Sequence, residues 1–223
     1  MEKMHIHVPD GVFPVWLWAL GYIIVTAFLS IAVRKVREDE KRGIHAAAMS
    51  AVMLVAMSIP LGVPYHINLT VLAGIILGPW WALISNFVTN LILATFGHGG
   101  ITIVGLNTMV TWSESLVGLY IFMALQRAFK QRKWRFTVAT GVSTFTALVL
   151  STVLVIGIVA ASGINPAEAI HHEHEGGEEP QISMAVFAAL IVPIALVGAV
   201  IEAIITSLIV IYARKVRPTL ISG

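Results

Sequence analysis

Eight histidines and no cysteine define the chemistry open to this chain. Without thiols there is no disulfide, no thiolate metal site and no iron–sulfur cluster. Imidazole suits nickel, copper, zinc and cobalt, so where the histidines fall decides what they do. His5 and His7 stand in the N-terminal tail, and His66 follows an apolar segment. His98 lies in Gly97-His98-Gly99-Gly100, and His171, His172 and His174 share an acidic run that ends at Glu179. A chain terminus followed closely by histidine is a strong chelator. Its amine nitrogen, a deprotonated backbone amide nitrogen and the imidazole Nδ1 close fused rings around one ion. These donors are coplanar, and planar nitrogen ligation favours Ni(II) or Cu(II). Such a terminus gives three donors and needs a fourth from elsewhere. His66 is the candidate, beside the plainer reading of a helix-end residue following Gly62 and Pro64. His98 reads as a turn residue ahead of a ligand, His45 as an interfacial hydrogen-bonding residue. The 171–179 run reads equally as a weak metal-binding tract or a solvated tether.

The elements that must hold these residues are membrane helices. Of the 223 residues 57% are hydrophobic and 12% charged, about half the charge of an ordinary soluble domain. That excludes a disordered chain, a soluble enzyme of usual type and a nucleic-acid-binding protein. A membrane helix needs about 20 mostly apolar residues. Spans are expected at 12–33, 44–61, 103–126, 136–161 and 183–213. The stretch 67–96 is one kinked helix or two short ones broken at Leu77-Gly78-Pro79-Trp80, and charge decides between them. All Lys and Arg except Lys3 fall in three clusters, at 34–42, 127–135 and 214–217. Basic loops stay in the cytoplasm, and only two helices in 67–96 put all three clusters on one side. The expected fold is an all-α polytopic bundle of seven transmembrane segments, N-terminus outside and C-terminus cytoplasmic. It forms a single membrane domain over 1–223. Residues 1–11 are an extracytoplasmic tail and 162–182 an extracytoplasmic His/Glu-rich loop. His5, His7, His66, His98 and the 171–174 histidines then gather at the outer face, and His45 near the inner one. The 67–78 helix is too short to face lipid and is expected to be sheltered by its neighbours.

The first span is expected to remain as a helix and not to be a cleaved signal, since Pro9-Asp10-Gly11 precedes it and no Ala-x-Ala follows. Glu114 and Glu202 are the acids inside spans. They should face protein or water, protonated and hydrogen-bonded, or paired with Asn107, Ser113 or Ser115 to brace loops. A proton relay or a metal in transit is the remoter alternative. Asn86, Asn90 and Asn107 are expected to support the loops from below. Ala47 and Ala51 form a small-xxx-small pair that permits close helix approach, either within the bundle or against a helix of a partner subunit. No Walker A sequence occurs, so ATP hydrolysis has no site of that kind here, and no His-Glu-x-x-His pattern marks a metalloenzyme.

Met4-His5-Ile6-His7-Val8-Pro9-Asp10-Gly11 resembles the Met-His-Ile-Pro-Asp-Gly start of the CbiM/NikM family. Leu77-Gly78-Pro79-Trp80, Phe96-Gly97-His98-Gly99-Gly100 and Gly105-Leu106-Asn107 are similar to the same family, and the likeness covers most of 4–130. The resemblance implies the substrate-specific subunit of an energy-coupling-factor importer for Co(II) or Ni(II) in a prokaryotic cell membrane, a metal supply of the kind cobalamin biosynthesis uses. It is a transport subunit and not an enzyme, with no resident cofactor. Its implied partners are a transmembrane coupling subunit, two ATPase subunits and a small accessory membrane subunit, with no nucleic acid. The resemblance also implies a metal site built from the N-terminal Met-His and one later histidine. Here that selects Met4 (amine), His5 (amide and imidazole) and His66, if the mature chain begins at Met4. His7 is then a substitute or an axial fifth donor, and His98, His171, His172 and His174 are subsidiary candidates. A start at Met1 would leave only the side chains of His5, His7 and His66. The alternative function is a substrate subunit of the same transporter class for a small organic vitamin.

Overall fold

The computed structural model describes residues 10–37, 39–59, 66–97, 99–130, 132, 134–169 and 181–221. Among them are seven α-helices and no strand. The helices are α1 (Val15–Val36), α2 (Glu40–Ser58), α3 (Thr70–Leu77), α4 (Pro79–Thr95), α5 (Val104–Ala128), α6 (Arg135–Ser162) and α7 (Met184–Val216). Four of them are long and apolar enough to cross a membrane: α1, α5 with the 3-10 turn before it, α6 and α7. The chain is a multi-pass membrane protein, and each helix stands where an apolar segment was expected.

The 67–96 stretch does divide in two. Gly78, at φ 78° and ψ 176°, closes one helix and opens the next. Its N–H donates to Gly74 O at 2.9 Å and its carbonyl accepts from Ala82 N at 3.1 Å. This backbone region is open to glycine alone. Pro79 follows at the first position of α4, where its missing N–H costs nothing. The Trp112 indole donates to Pro79 O at 2.9 Å and fixes the turn against α5.

The short helix is sheltered, as its length requires. Eight residues rise only about 12 Å, and all of α3 except Ile76 is buried. It packs against α2, α4, α5, α6 and α7. The approach to α5 is close enough that a Cβ on Gly74 would overlap the Ser115 carbonyl oxygen. A Cβ on Gly105 would likewise lie 2.6 Å from Tyr22 N where α5 crosses α1. The tight crossings are therefore glycine contacts. Ala47 and Ala51, the small pair of α2, are exposed along a groove between α2 and α4 and do not make one of these close crossings within the bundle.

The basic clusters share one end of the bundle. Arg34 and Lys35 close α1, Arg127 closes α5, and Arg214 and Lys215 close α7. The Arg214 guanidinium sits 3.2 Å over the Phe136 ring at the start of α6. Gly43 at the start of α2 abuts the Trp81 ring at the start of α4. At the opposite end, Phe13, Leu17, Ile103, Leu106, Ala169 and Phe187 form a separate apolar cluster. Part of the 162–182 loop belongs to it: Pro166, Ala167 and Ala169 are buried, so this loop is not hydrophilic throughout. Asn165 Oδ1 accepts from Ile182 N at 3.3 Å and ties the two ends of the loop together. The 171–179 run lies outside the described residues.

Candidate functional site

Two carboxyl groups organise the end opposite the basic clusters. Asp10 stands just before α1, and both of its oxygens are engaged. Oδ2 accepts from Ile101 N at 3.0 Å. Oδ1 accepts from Thr102 N at 2.7 Å and from the Thr102 hydroxyl at 2.6 Å. The Tyr22 hydroxyl adds a bond to Ile101 O at 2.5 Å. Together these fasten the point where the N-terminal tail leaves the bundle to the turn that opens α5. The Thr102 hydroxyl, then the Thr102 N–H, then the Ile101 N–H hold the Asp10 carboxyl below its ordinary value of 3.8, against a smaller opposing effect of burial. The fit is tight, since a Cβ on Gly100 would lie 2.7 Å from Asp10 N.

Glu202 is fully buried near the middle of α7. Its Oε2 accepts from Asn68 N at 3.0 Å and its Oε1 from Leu69 N at 2.9 Å. Residues 66–69 have no helical structure. They therefore lie at a depth where lipid could not satisfy their backbone, and non-helical chain is tolerated there only inside protein. Leu69 is the one residue other than glycine with positive φ among the described residues, at 56°. Immediately after it the Thr70 hydroxyl donates to Glu114 Oε2 at 2.6 Å, and the Ser115 hydroxyl to Thr70 O at 2.7 Å. Asn86 Nδ2 donates to Ser115 Oγ at 2.9 Å, and Asn90 Nδ2 to Thr111 Oγ1 at 3.1 Å. Both acids face protein and are hydrogen-bonded, as expected, but their partners differ from the expected Asn107, Ser113 and Ser115. Ser113 turns back onto its own helix at Val110 O. Thr70 and, within hydrogen-bonding reach, Ser151 serve Glu114, while backbone N–H groups serve Glu202.

A cavity of 310 Å³ runs from Phe13, Ile103 and Ala169 down to Glu114 and Leu148. His66, Asn68, Asn90 and Asn107 give it a polar wall, and the rest is largely aliphatic. His66 was expected at the outer face. It lines the wall of this cavity, two residues from Asn68, which Glu202 holds near the middle of α7. Of the candidate metal ligands only His66 is among the described residues. Met4, His5, His7, His98, His171, His172 and His174 lie outside them. Among the described residues no three His, Cys, Asp or Glu side chains are grouped to hold a metal. Asp10 fixes where that tail starts. His7 is three residues upstream, within about 10 Å of chain, and His5 is five, within about 17 Å. His45 is exposed at the start of α2, among the basic clusters and away from this end.

Sequence reading did not identify Asp10 and Thr70 as site-organising residues. The Pro9-Asp10-Gly11 motif was a visible signal for the first. Nothing local marks the second.

Comparisons with known proteins bear on the family and the fold. Residues 7–220 match the family described as the CbiM cobalt uptake substrate-specific transmembrane region. A putative fused nickel transport protein of Archaeoglobus fulgidus is 33% identical over 129 residues, 54% of this chain and 43% of that one. A cobalt transport protein of Clostridium tetani is 27% identical over 222 residues, 94% of this chain and 86% of that one. The chain thus spans less than half the length of the first of these relatives and most of the second. Two solved structures, described as a transition metal transporter and a truncated one, superimpose with a TM-score of 0.76 over 94% of this chain, at 25% and 24% identity. They cover 93% and 98% of their own chains respectively, and the second supports the fold alone. With a family match that takes in every described element, the chain belongs to the CbiM family of cobalt uptake transmembrane proteins.

Proposed function

We propose that this chain captures Co(II) or Ni(II) as the substrate-specific subunit of an ATP-driven energy-coupling-factor importer. The metal is its cargo and not a resident cofactor. In this reading the N-terminus faces outside. The tail beyond Asp10 folds over the cavity mouth, where the Met4 amine, the His5 amide and imidazole, and the His66 imidazole make four nitrogen donors. His7 is a substitute for His5 or an axial fifth donor. The 171–174 histidines and His98 are subsidiary. A transmembrane coupling subunit and two ATPase subunits supply the energy, because this chain has no nucleotide site of the Walker type.

The observation that carries the reading is the pairing of two anchors at one end of the bundle. Asp10 fastens the root of a histidine-bearing tail, and the cavity that begins at Phe13 near that root carries His66 on its wall. Four planar nitrogens favour nickel, and a site that recruits a further donor accommodates cobalt. Nickel binds more tightly than cobalt to a given nitrogen site, so selection between them comes from geometry and supply.

The test is isothermal titration with Ni(II) and Co(II) on detergent-solubilised protein. Chains beginning at Met4 and at Met1 are compared with a His66→Ala variant. Tight 1:1 binding that needs both the Met4 terminus and His66 supports the reading. Equal binding by all three would move the metal to the 171–174 loop. No binding by any would favour a small organic vitamin as cargo, for which a partly polar cavity of 310 Å³ is at the lower limit of ligand pockets.

A further inference from the structure

We infer that Glu202 is a positioning residue for His66, acting through the backbone of the segment that carries it; the inference rests on the proposed role of His66 in metal capture. An acid inside a membrane helix is expensive and usually marks an ion path or a charge partner. Glu202 has a further use. It is fully buried, and the cavity wall does not include it. The Lys and Arg residues of the chain, Lys3 apart, are confined to the three clusters at helix ends. Its two oxygens are instead taken up by successive N–H groups, those of Asn68 and Leu69.

The need for such an acceptor follows from the local chain. The first N–H groups of a helix have no partner within it. Ser, Thr, Asp or Asn normally supplies one from the N-cap position. The N-cap of α3 is Leu69, whose side chain cannot, and whose backbone is left-handed at φ 56° and ψ 21°. Lipid could not substitute for such an acceptor inside the bundle. Glu202, on a different helix, instead accepts from the N–H of this N-cap residue and of the residue before it, and the left-handed turn is held because its two oxygens grip adjacent residues. Glu114 and Ser115 then pin Thr70 from α5. Three consecutive residues, 68 to 70, are fixed from two long helices. His66 follows them rigidly, so its imidazole reaches the cavity in one place. A ligand already in position costs the incoming ion no ordering of the chain.

Outer partners of metal ligands commonly change metal affinity about 10–100-fold when altered. Glu202→Gln is nearly isosteric. It keeps one acceptor oxygen and sets an amide NH₂ against a backbone N–H. It is expected to weaken Ni(II) binding about 10-fold in the chain starting at Met4. At saturating metal it should shift the visible Ni(II) absorption towards that of His66→Ala. In the His66→Ala background the same substitution should change the affinity less than about twofold, because the residue it positions is gone. The double-mutant cycle separates this from general loosening of the bundle, which would weaken binding alike in both backgrounds and overturn the inference. Wild-type affinity and spectrum in Glu202→Gln would overturn it too, leaving metal capture by His66 intact. If His66→Ala itself binds as the unaltered chain does, the capture reading fails and this inference with it.

Discussion

Replacing Asp10 by alanine tests whether the tail works as a tethered chelator. The substitution removes three accepted bonds, from Ile101 N, Thr102 N and the Thr102 hydroxyl. Bonds to a charged group are worth about 1.5–3 kcal/mol each when shielded. Asp10 is exposed, so solvent screens much of this. A discounted total of about 2 kcal/mol corresponds to a roughly 30-fold loss in the effective concentration of the tail at the cavity mouth. Ni(II) affinity should fall by about that factor with 1:1 stoichiometry kept, since no proposed ligand is touched. Gly100→Ala provides a second route to the same end, because its methyl would collide with Asp10. The pH dependence adds a control. Asp10 has a folded value below 3.8, so its contribution is complete above 3.8 and is lost only as pH falls through that lower value. Chelation itself displaces protons from the ligands. Between pH 8 and 6 the affinity should therefore fall in parallel for the wild type and Asp10→Ala. Titration calorimetry across this range reads both effects. An Asp10→Ala chain that binds Ni(II) as tightly as the wild type would refute the tether.

Three further outcomes are expected. Gly74→Ala drives a methyl into the Ser115 carbonyl and should destabilise the bundle by about 1–3 kcal/mol; an unchanged melting temperature in detergent would contradict the α3–α5 packing. Thr70→Val keeps the shape but takes the donor away from Glu114, at a cost of about 1–3 kcal/mol in the same assay. His45→Ala, at the end with the basic clusters, should leave Ni(II) and Co(II) affinity unchanged. A measurable loss in calorimetry would place a ligand where the proposed site has none.

What the sequence made legible follows from the kind of signal each feature leaves. Gly78-Pro79 announces a break because one residue alone tolerates φ 78° with ψ 176° and the next lacks an N–H. The side on which the basic residues gather is written in their clustering. Depth is different. Hydropathy reports how apolar a segment is and not whether lipid or protein surrounds it. The 67–96 stretch showed its break but not that 66–69 lies level with the middle of α7. The acids show the same limit. That Glu114 and Glu202 avoid lipid follows from charge alone. The partner of Glu114 depended on which face of α5 meets α3, and Thr70 was that neighbour. The partners of Glu202 are backbone N–H groups, which every residue except proline carries and which leave no sequence signature. The close crossings inside the bundle are at Gly74 and Gly105, where even a methyl is too large, and no spacing pattern in the sequence singled out these two glycines.

The bonds from Glu202 to Asn68 and Leu69 join positions 134 and 133 residues apart, and this sets an order on biosynthesis. The segment around His66 leaves the ribosome early, while its anchor lies in the last helix. Until α7 is inserted, the turn into α3 lacks its acceptor and α3 a neighbour, and eight residues are too few to enter a bilayer unaided. A nascent chain cut after α6 would carry His66 but no fixed place for it. Under the proposed role of His66, metal binding at this wall would therefore appear only once α7 is in place.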